Sequence, residues 1–127
     1  HLRSGAYLES GVHIGNYVEV KESRFATGAV MGHFGYIGDA FIGSDVNIGA
    51  GTVTCNFDGM KKNETIIGSS AFIGSSTMLV APIQIGSRAI TGAGSVVTEN
   101  VSADSLVFGV PAKPRSLKRP LKKRRNN

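Results

Sequence analysis

His33 and Tyr36 stand three residues apart in VMGHFGYIGDA, the stretch from Val30 to Ala40, with Gly32, Gly35 and Gly38 around them. An imidazole ionises near neutral pH and can take a proton from an attacking group, and a phenol can both donate and accept a hydrogen bond. A lone histidine more often fills a structural position, so this pair gains meaning only from its surroundings. His13, in SGVHIGN, lies on a regular part of the sequence and reads as structural. Cys55, the sole cysteine, sits beside Asn56 and reads as a small buried residue rather than a nucleophile, with no serine-histidine-acid arrangement to accompany it. His1, His13 and His33 include no close pair, so a three-histidine zinc centre lacks ligands, and no metal is expected.

The elements that must hold such groups announce themselves by a period of six. Ile42-Gly43, Ile48-Gly49, Ile67-Gly68, Ile73-Gly74 and Ile85-Gly86 recur, with Leu79 and Val97 on the same grid. Four residues after each grid position comes another small or β-branched residue: Val46, Thr52, Ala71, Thr77, Ile83, Ala89 and Ser95. Such a period is neither helical nor a plain alternation; it predicts an all-β chain of short strands stacked as a parallel β-helix, two inward slots per hexapeptide. Three hexapeptides per coil make a triangular prism. The grid breaks twice, between Val20 and Ile42 and at CNFDGMKKNETI, where Asp58-Gly59 marks a turn in an inserted loop. Loops and irregularities on a rigid scaffold are where binding groups are mounted.

The 127 residues suffice for one domain, and no apolar run approaches the length of a membrane span. The single cysteine allows no intrachain disulfide and the first residues lack the charged and apolar regions of a signal peptide, which points to a cytoplasmic setting; the start at His1, with no methionine, suggests either a piece of something longer or a tag remnant. Before Lys113 there are six cations against nine acids, a net charge of −3, and the other eight cations are packed into the end. An acidic body with a basic tail, without interleaved aromatics, argues against nucleic acid as a partner. The expected division is a β-helix domain over 1–109 and a basic tail over 110–127.

GNYVEVKES, GHFGYIGDA, NIGAGTVTCNFDG and KKNETIIG resemble, in order and spacing, the acetyltransferase domain of the bacterial bifunctional N-acetylglucosamine-1-phosphate uridyltransferase/glucosamine-1-phosphate acetyltransferases, over about residues 2–100. The resemblance implies a left-handed β-helix, a homotrimer, and acetyl-CoA as co-substrate for N-acetylation of glucosamine 1-phosphate in the synthesis of UDP-N-acetylglucosamine and cell-envelope precursors. It implies His33 as the base, and Arg3, Lys21, Tyr36, Asn47 and Lys62 as the sugar-phosphate site. For acetyl-CoA it points to Ala50, Asn56, Phe57, Ser75 and Ala93, with Ser75 and Ala93 eighteen apart, one coil of three hexapeptides. Glu19 is the candidate to support the base, and a backbone N–H near Gly35 or Tyr36 the expected oxyanion donor. Lys62 is expected to reach a neighbouring chain's site. Two departures stand out: Phe57 replaces a tyrosine, and Gly109, in FGVPAKPRS, occupies the place of an arginine for the cofactor's phosphates, leaving Lys113 or Arg115 to supply charge. That ending also suits an acetyltransferase of another amino sugar, and a non-catalytic scaffold is the remaining alternative.

Overall fold

The computed structural model describes residues 1–116; the run LKRPLKKRR of the expected basic tail lies outside the described residues. All regular structure among them is β. The first coil comprises β1 (Ala6–Leu8), β2 (His13–Ile14) and β3 (Val18–Lys21), and the second β4 (Ser23–Phe25), β5 (Val30–Met31) and β6 (Gly35–Gly38). The third holds β7 (Ala40–Ile42), β8 (Asn47–Ile48) and β9 (Val53–Cys55). After the loop come β10 (Thr65–Ile67), β11 (Phe72–Ile73) and β12 (Met78–Val80), then β13 (Ile83–Ile85), β14 (Ile90–Thr91) and β15 (Val96–Val97). β16 (Leu106–Gly109) and β17 (Ala112–Arg115) close the described chain.

Strands three apart in sequence pair in parallel, which gives three faces: β1-β4-β7-β10-β13, then β2-β5-β8-β11-β14-β16, and β3-β6-β9-β12-β15. The result is the parallel β-helix foreseen from the hexapeptides, with the left-handed coil that the resemblance implies. Each face sends one column of side chains inward: Phe25, Ile42, Ile67 and Ile85 from the first, Met31, Ile48, Ile73 and Thr91 from the second, Val20, Ile37, Thr54, Leu79 and Val97 from the third, all essentially sealed from solvent. All seven residues of the second grid are buried as well, so both slots of each hexapeptide point into the prism. His13, by contrast, faces outward from β2 and is exposed.

The irregularity between Val20 and Ile42 is a change of period. In the first three coils partners lie seventeen residues apart, Ala6 with Ser23, His13 with Val30 and Val18 with Gly35, whereas Thr65 pairs with Ile83 and Phe72 with Ile90, eighteen apart. Met31-Gly32 therefore occupies the aliphatic-glycine position of its coil, beside Ile14-Gly15 and Ile48-Gly49, one residue short of a hexapeptide count.

At the far end β17 folds back antiparallel on β16, so the division drawn between residues 109 and 110 falls inside a hairpin. Gly109 enters that turn at φ +105°, a conformation that glycine adopts without strain. Lys113 lies 3.8 Å from Glu99, and the Arg115 guanidinium stacks 5.0 Å over Phe108. No helix among the described residues is long and apolar enough to cross a membrane.

Candidate functional site

His33 stands at the edge where the second face turns into the third. In the other coils this corner carries a residue of positive φ: Tyr17 (62°), Gly51 (77°), Ser76 (58°) and Gly94 (74°). Phe34, the counterpart in the second coil, has none, and the hydrogen bonding slips by one residue. Ser76 N–H donates to Ala50 O and Gly94 N–H to Ser75 O, but Gly51 N–H donates to Phe34 O rather than to His33 O. The altered turn leaves His33 and Phe34 exposed on the edge.

Below His33, along the same edge, follow Ala50, Ser75 and Ala93, the residues after the corner glycines of successive coils. A groove of ≈ 580 Å³ runs down the second face, with His33, Asn47, Ala50, Ser75 and Ala93 among its lining residues. Its floor is made by Gly49, Gly74 and Gly92, and a Cβ at any of them would collide with the neighbouring coil or with Phe108. The groove is thus open to solvent, backbone-floored and has an imidazole at one end. It can accept an extended, slender ligand.

The third face carries a second cluster. Arg3 is drawn onto it by its N–H bond to Val20 O, and its Nη1 donates to Glu19 Oε2 at 2.7 Å. Glu19 registers beside Tyr36, and Lys21 beside Gly38. Glu19 thus serves the Arg3 guanidinium. Tyr36 lies back over Gly38, where a Cβ would collide with the phenol, and its oxygen accepts from Asn56 Nδ2 at 3.2 Å. The same Nδ2 donates to Asp39 Oδ2 at 2.6 Å, and Asn56 is buried.

Of the backbone N–H groups near Gly35 and Tyr36, where the oxyanion donor is expected, those two are already used: Gly35 N–H is bonded to Tyr17 O and Tyr36 N–H to Thr52 O. A register of parallel coils consumes the amides of a strand, and β6 begins at Gly35, so neither group faces a ligand.

The inserted loop is built on Asp58. Its carboxylate accepts from the N–H groups of Met60 and Lys61, both at 2.8 Å, and from Asn63 Nδ2 at 3.0 Å. These bonds hold the Asp58 carboxyl well down, to about 2. Phe57 bridges Lys62, whose Nζ sits 5.0 Å over the Phe57 ring, and both are exposed. The loop leaves the edge between the third and first faces. Within one chain it is therefore separated from His33 by the width of the third face, about 13 Å for a four-residue strand. Burial pushes the Cys55 thiol up, which keeps it protonated and a poor nucleophile.

Asp39 escaped the reading of the sequence. A Gly-Asp pair at a corner looks like turn chemistry. Only the seventeen-residue coil, which stacks Asp39 against Asn56, exposes the contact.

Residues 64–99 match the family described as Bacterial transferase hexapeptide (six repeats). That match falls on the eighteen-residue coils. The chain is similar to the Bifunctional protein GlmU of Paracoccus denitrificans, 58% identical over 108 residues, and to that of Acinetobacter baylyi, 54% identical over 107. These alignments cover 85% and 84% of the chain but 24% of each relative, so the chain spans about a quarter of the length of the curated relatives it matches. Among solved structures, the acetyltransferase domain of PglB from Neisseria gonorrhoeae in complex with acetyl coenzyme A shares the fold, at a TM-score of 0.71 and 22% identity over 90% of this chain and 56% of that one. PerB from Caulobacter crescentus, in complex with CoA and GDP-perosamine, does so at a TM-score of 0.61 and 21% identity, over 91% of this chain and 53% of the other.

Proposed function

We propose that this chain, which belongs to the bacterial hexapeptide-repeat transferases, is an acetyl-CoA-dependent N-acetyltransferase that converts glucosamine 1-phosphate into N-acetylglucosamine 1-phosphate, a step toward UDP-N-acetylglucosamine in the cytoplasm. The observation that carries this reading is the column of Ala50, Ser75 and Ala93 lining one groove beneath the exposed His33. Small residues over a glycine floor suit a pantetheine arm lying along the coils, with its thioester brought up to the imidazole. The similarity to the GlmU proteins supports the acceptor.

In this reading His33 takes a proton as the neutral amine attacks the thioester carbonyl. The C–N bond forms, the C–S bond breaks, and coenzyme A leaves as the thiol after the thiolate takes that proton. With Cys55 kept protonated, the attack is direct and no acyl-enzyme forms. Arg3, Lys21 and Lys62 supply positive charge to the sugar phosphate, with Tyr36 and Asn47 as hydrogen-bonding partners. Glu19 acts through Arg3, fixing the guanidinium. Lys62 and Phe57, on the far edge of the third face, complete the site of a neighbouring chain in a homotrimer.

The test is the rate of coenzyme A release with glucosamine 1-phosphate, glucosamine 6-phosphate, glucosamine and nucleotide-linked amino sugars as acceptors. The proposal expects glucosamine 1-phosphate to exceed the others in kcat/KM by at least about tenfold, as loss of a charge-assisted phosphate contact demands. Preference for a nucleotide-linked amino sugar would overturn the assignment of the acceptor. No turnover with any of them would favour a scaffold.

A further inference from the structure

The contacts behind Tyr36 settle which way its hydroxyl must point its proton. A carboxylate only accepts hydrogen bonds, so the Asn56 atom lying 2.6 Å from Asp39 Oδ2 must be the amide nitrogen. That nitrogen carries two protons, and the other is directed to the Tyr36 oxygen at 3.2 Å. The Tyr36 oxygen is thereby an acceptor toward the protein. Its own proton is free for a ligand.

Asp39 is well placed to enforce this. Its backbone is pinned on both sides, its N–H donating to Lys21 O and its carbonyl accepting from Thr65 N–H, both at 3.1 Å. It holds φ +51°, which a glycine would adopt without strain, so the carboxylate is kept at some conformational cost. Asn56 is anchored too, its carbonyl accepting from Asn63 N–H at 2.7 Å at the base of the loop. Gly38 removes the one Cβ that would lift the phenol off the coil.

We infer that Asp39 is a positioning residue for the acceptor site: by holding the Asn56 amide in one orientation it makes the Tyr36 hydroxyl a committed donor to an anionic oxygen of the sugar phosphate. The inference rests on the reading of Tyr36 as part of that site. It also assigns the Asn56 amide protons to the protein interior, leaving coenzyme A at most its carbonyl. With an asparagine at position 39 the Asn56 amide can turn over, present its oxygen to Tyr36, and draw the phenol proton inward.

Steady-state kinetics of the wild type, Asp39→Asn, Tyr36→Phe and the double variant, with glucosamine 1-phosphate and acetyl-CoA, test it. Each single change should raise KM for the sugar phosphate about 10- to 150-fold, the range for one hydrogen bond to a charged group. KM for acetyl-CoA and the melting temperature should stay put, and the double variant should be no worse than Tyr36→Phe alone. Additive effects, or a silent Asp39→Asn beside an impaired Tyr36→Phe, would overturn the inference and leave the proposed function standing. A silent Tyr36→Phe would remove the reading of the site and the inference with it. Exchange of the Asn56 side-chain amide protons, followed by NMR in the ligand-free protein, reads the contact without any turnover. It should be at least about tenfold faster in Asp39→Asn, since two hydrogen bonds from a buried amide restrain it in the wild type. An unchanged rate would sink the inference whatever the substrate proves to be.

Discussion

A base and a binding cation leave different kinetic marks, and the two sides of the His33 corner should separate them. Removing a general base lowers turnover by about two to four orders of magnitude, so His33→Ala should do this to kcat on glucosamine 1-phosphate with little change in acetyl-CoA affinity. Lys21→Ala should raise KM for the sugar phosphate with a smaller effect on kcat. Near-normal turnover in a folded His33→Ala trimer would return the histidine to a structural role. Asp58 gives a pH prediction of definite sign. Its carboxyl titrates at about 2 in the folded chain against an ordinary 3.8. The order it lends the loop is therefore complete above about 4 and lost as pH falls through about 2. Amide exchange or proteolysis at Met60 and Lys61 should rise across that window and already be raised at neutral pH in Asp58→Ala. A pH-independent loop would contradict this.

The coil is the unit of stability, since each touches only its neighbours along the axis. Its weak spot is Thr65, completely buried between Ala40 and Ile83 in an inward column, with a hydroxyl that has no hydrogen-bond partner. The other buried threonines are served: Thr77 Oγ1 reaches Gly74 O at 2.7 Å and Thr91 Oγ1 at 2.9 Å, and Thr54 Oγ1 accepts from Gly38 N–H at 2.8 Å. Replacing an unpaired buried hydroxyl by a methyl of the same shape removes a desolvation cost, so Thr65→Val should stabilise the chain by about 1 kcal/mol. Ile67→Ala, one inward slot away, should destabilise it by about 2–5 kcal/mol through the cavity left. Chemical denaturation of the pair checks both signs, and a destabilised Thr65→Val would mean that the hydroxyl finds a partner. The ion pairs between coils, Arg24 with Glu9 and Arg88 with Asp104, are largely exposed and should matter little beside these.

For the whole molecule the decisive fact is that His33 and Lys62 lie on opposite edges of the third face. If each site takes His33 from one chain and Lys62 from the next, mixing inactive His33→Ala and Lys62→Ala subunits should restore activity. In a trimer assembled at random from equal amounts, about a quarter of the sites pair two intact residues. No recovery after co-refolding would show that both residues serve the same chain's site. Loss of activity on dilution would mark the assembled trimer as the working form.

The hexapeptide spacing by itself determined the prism, the two inward slots and the loop at Asp58-Gly59, because short strands, corners and turns are local and each hexapeptide repeats the same backbone problem. It also brought Ser75 over Ala93, where the period is a strict eighteen. It misread the stretch around His33 as irregular, since a coil of seventeen residues preserves the stacking while spoiling the count. What the tertiary structure alone decided was which groups remain available. Register between coils commits the amides of Gly35 and Tyr36, pairs Glu19 with Arg3, and joins Asp39 to Asn56 and Tyr36 across two coils. Such partnerships depend on which strand lies beside which, and side-chain types and spacings carry no record of a hydrogen bond already made.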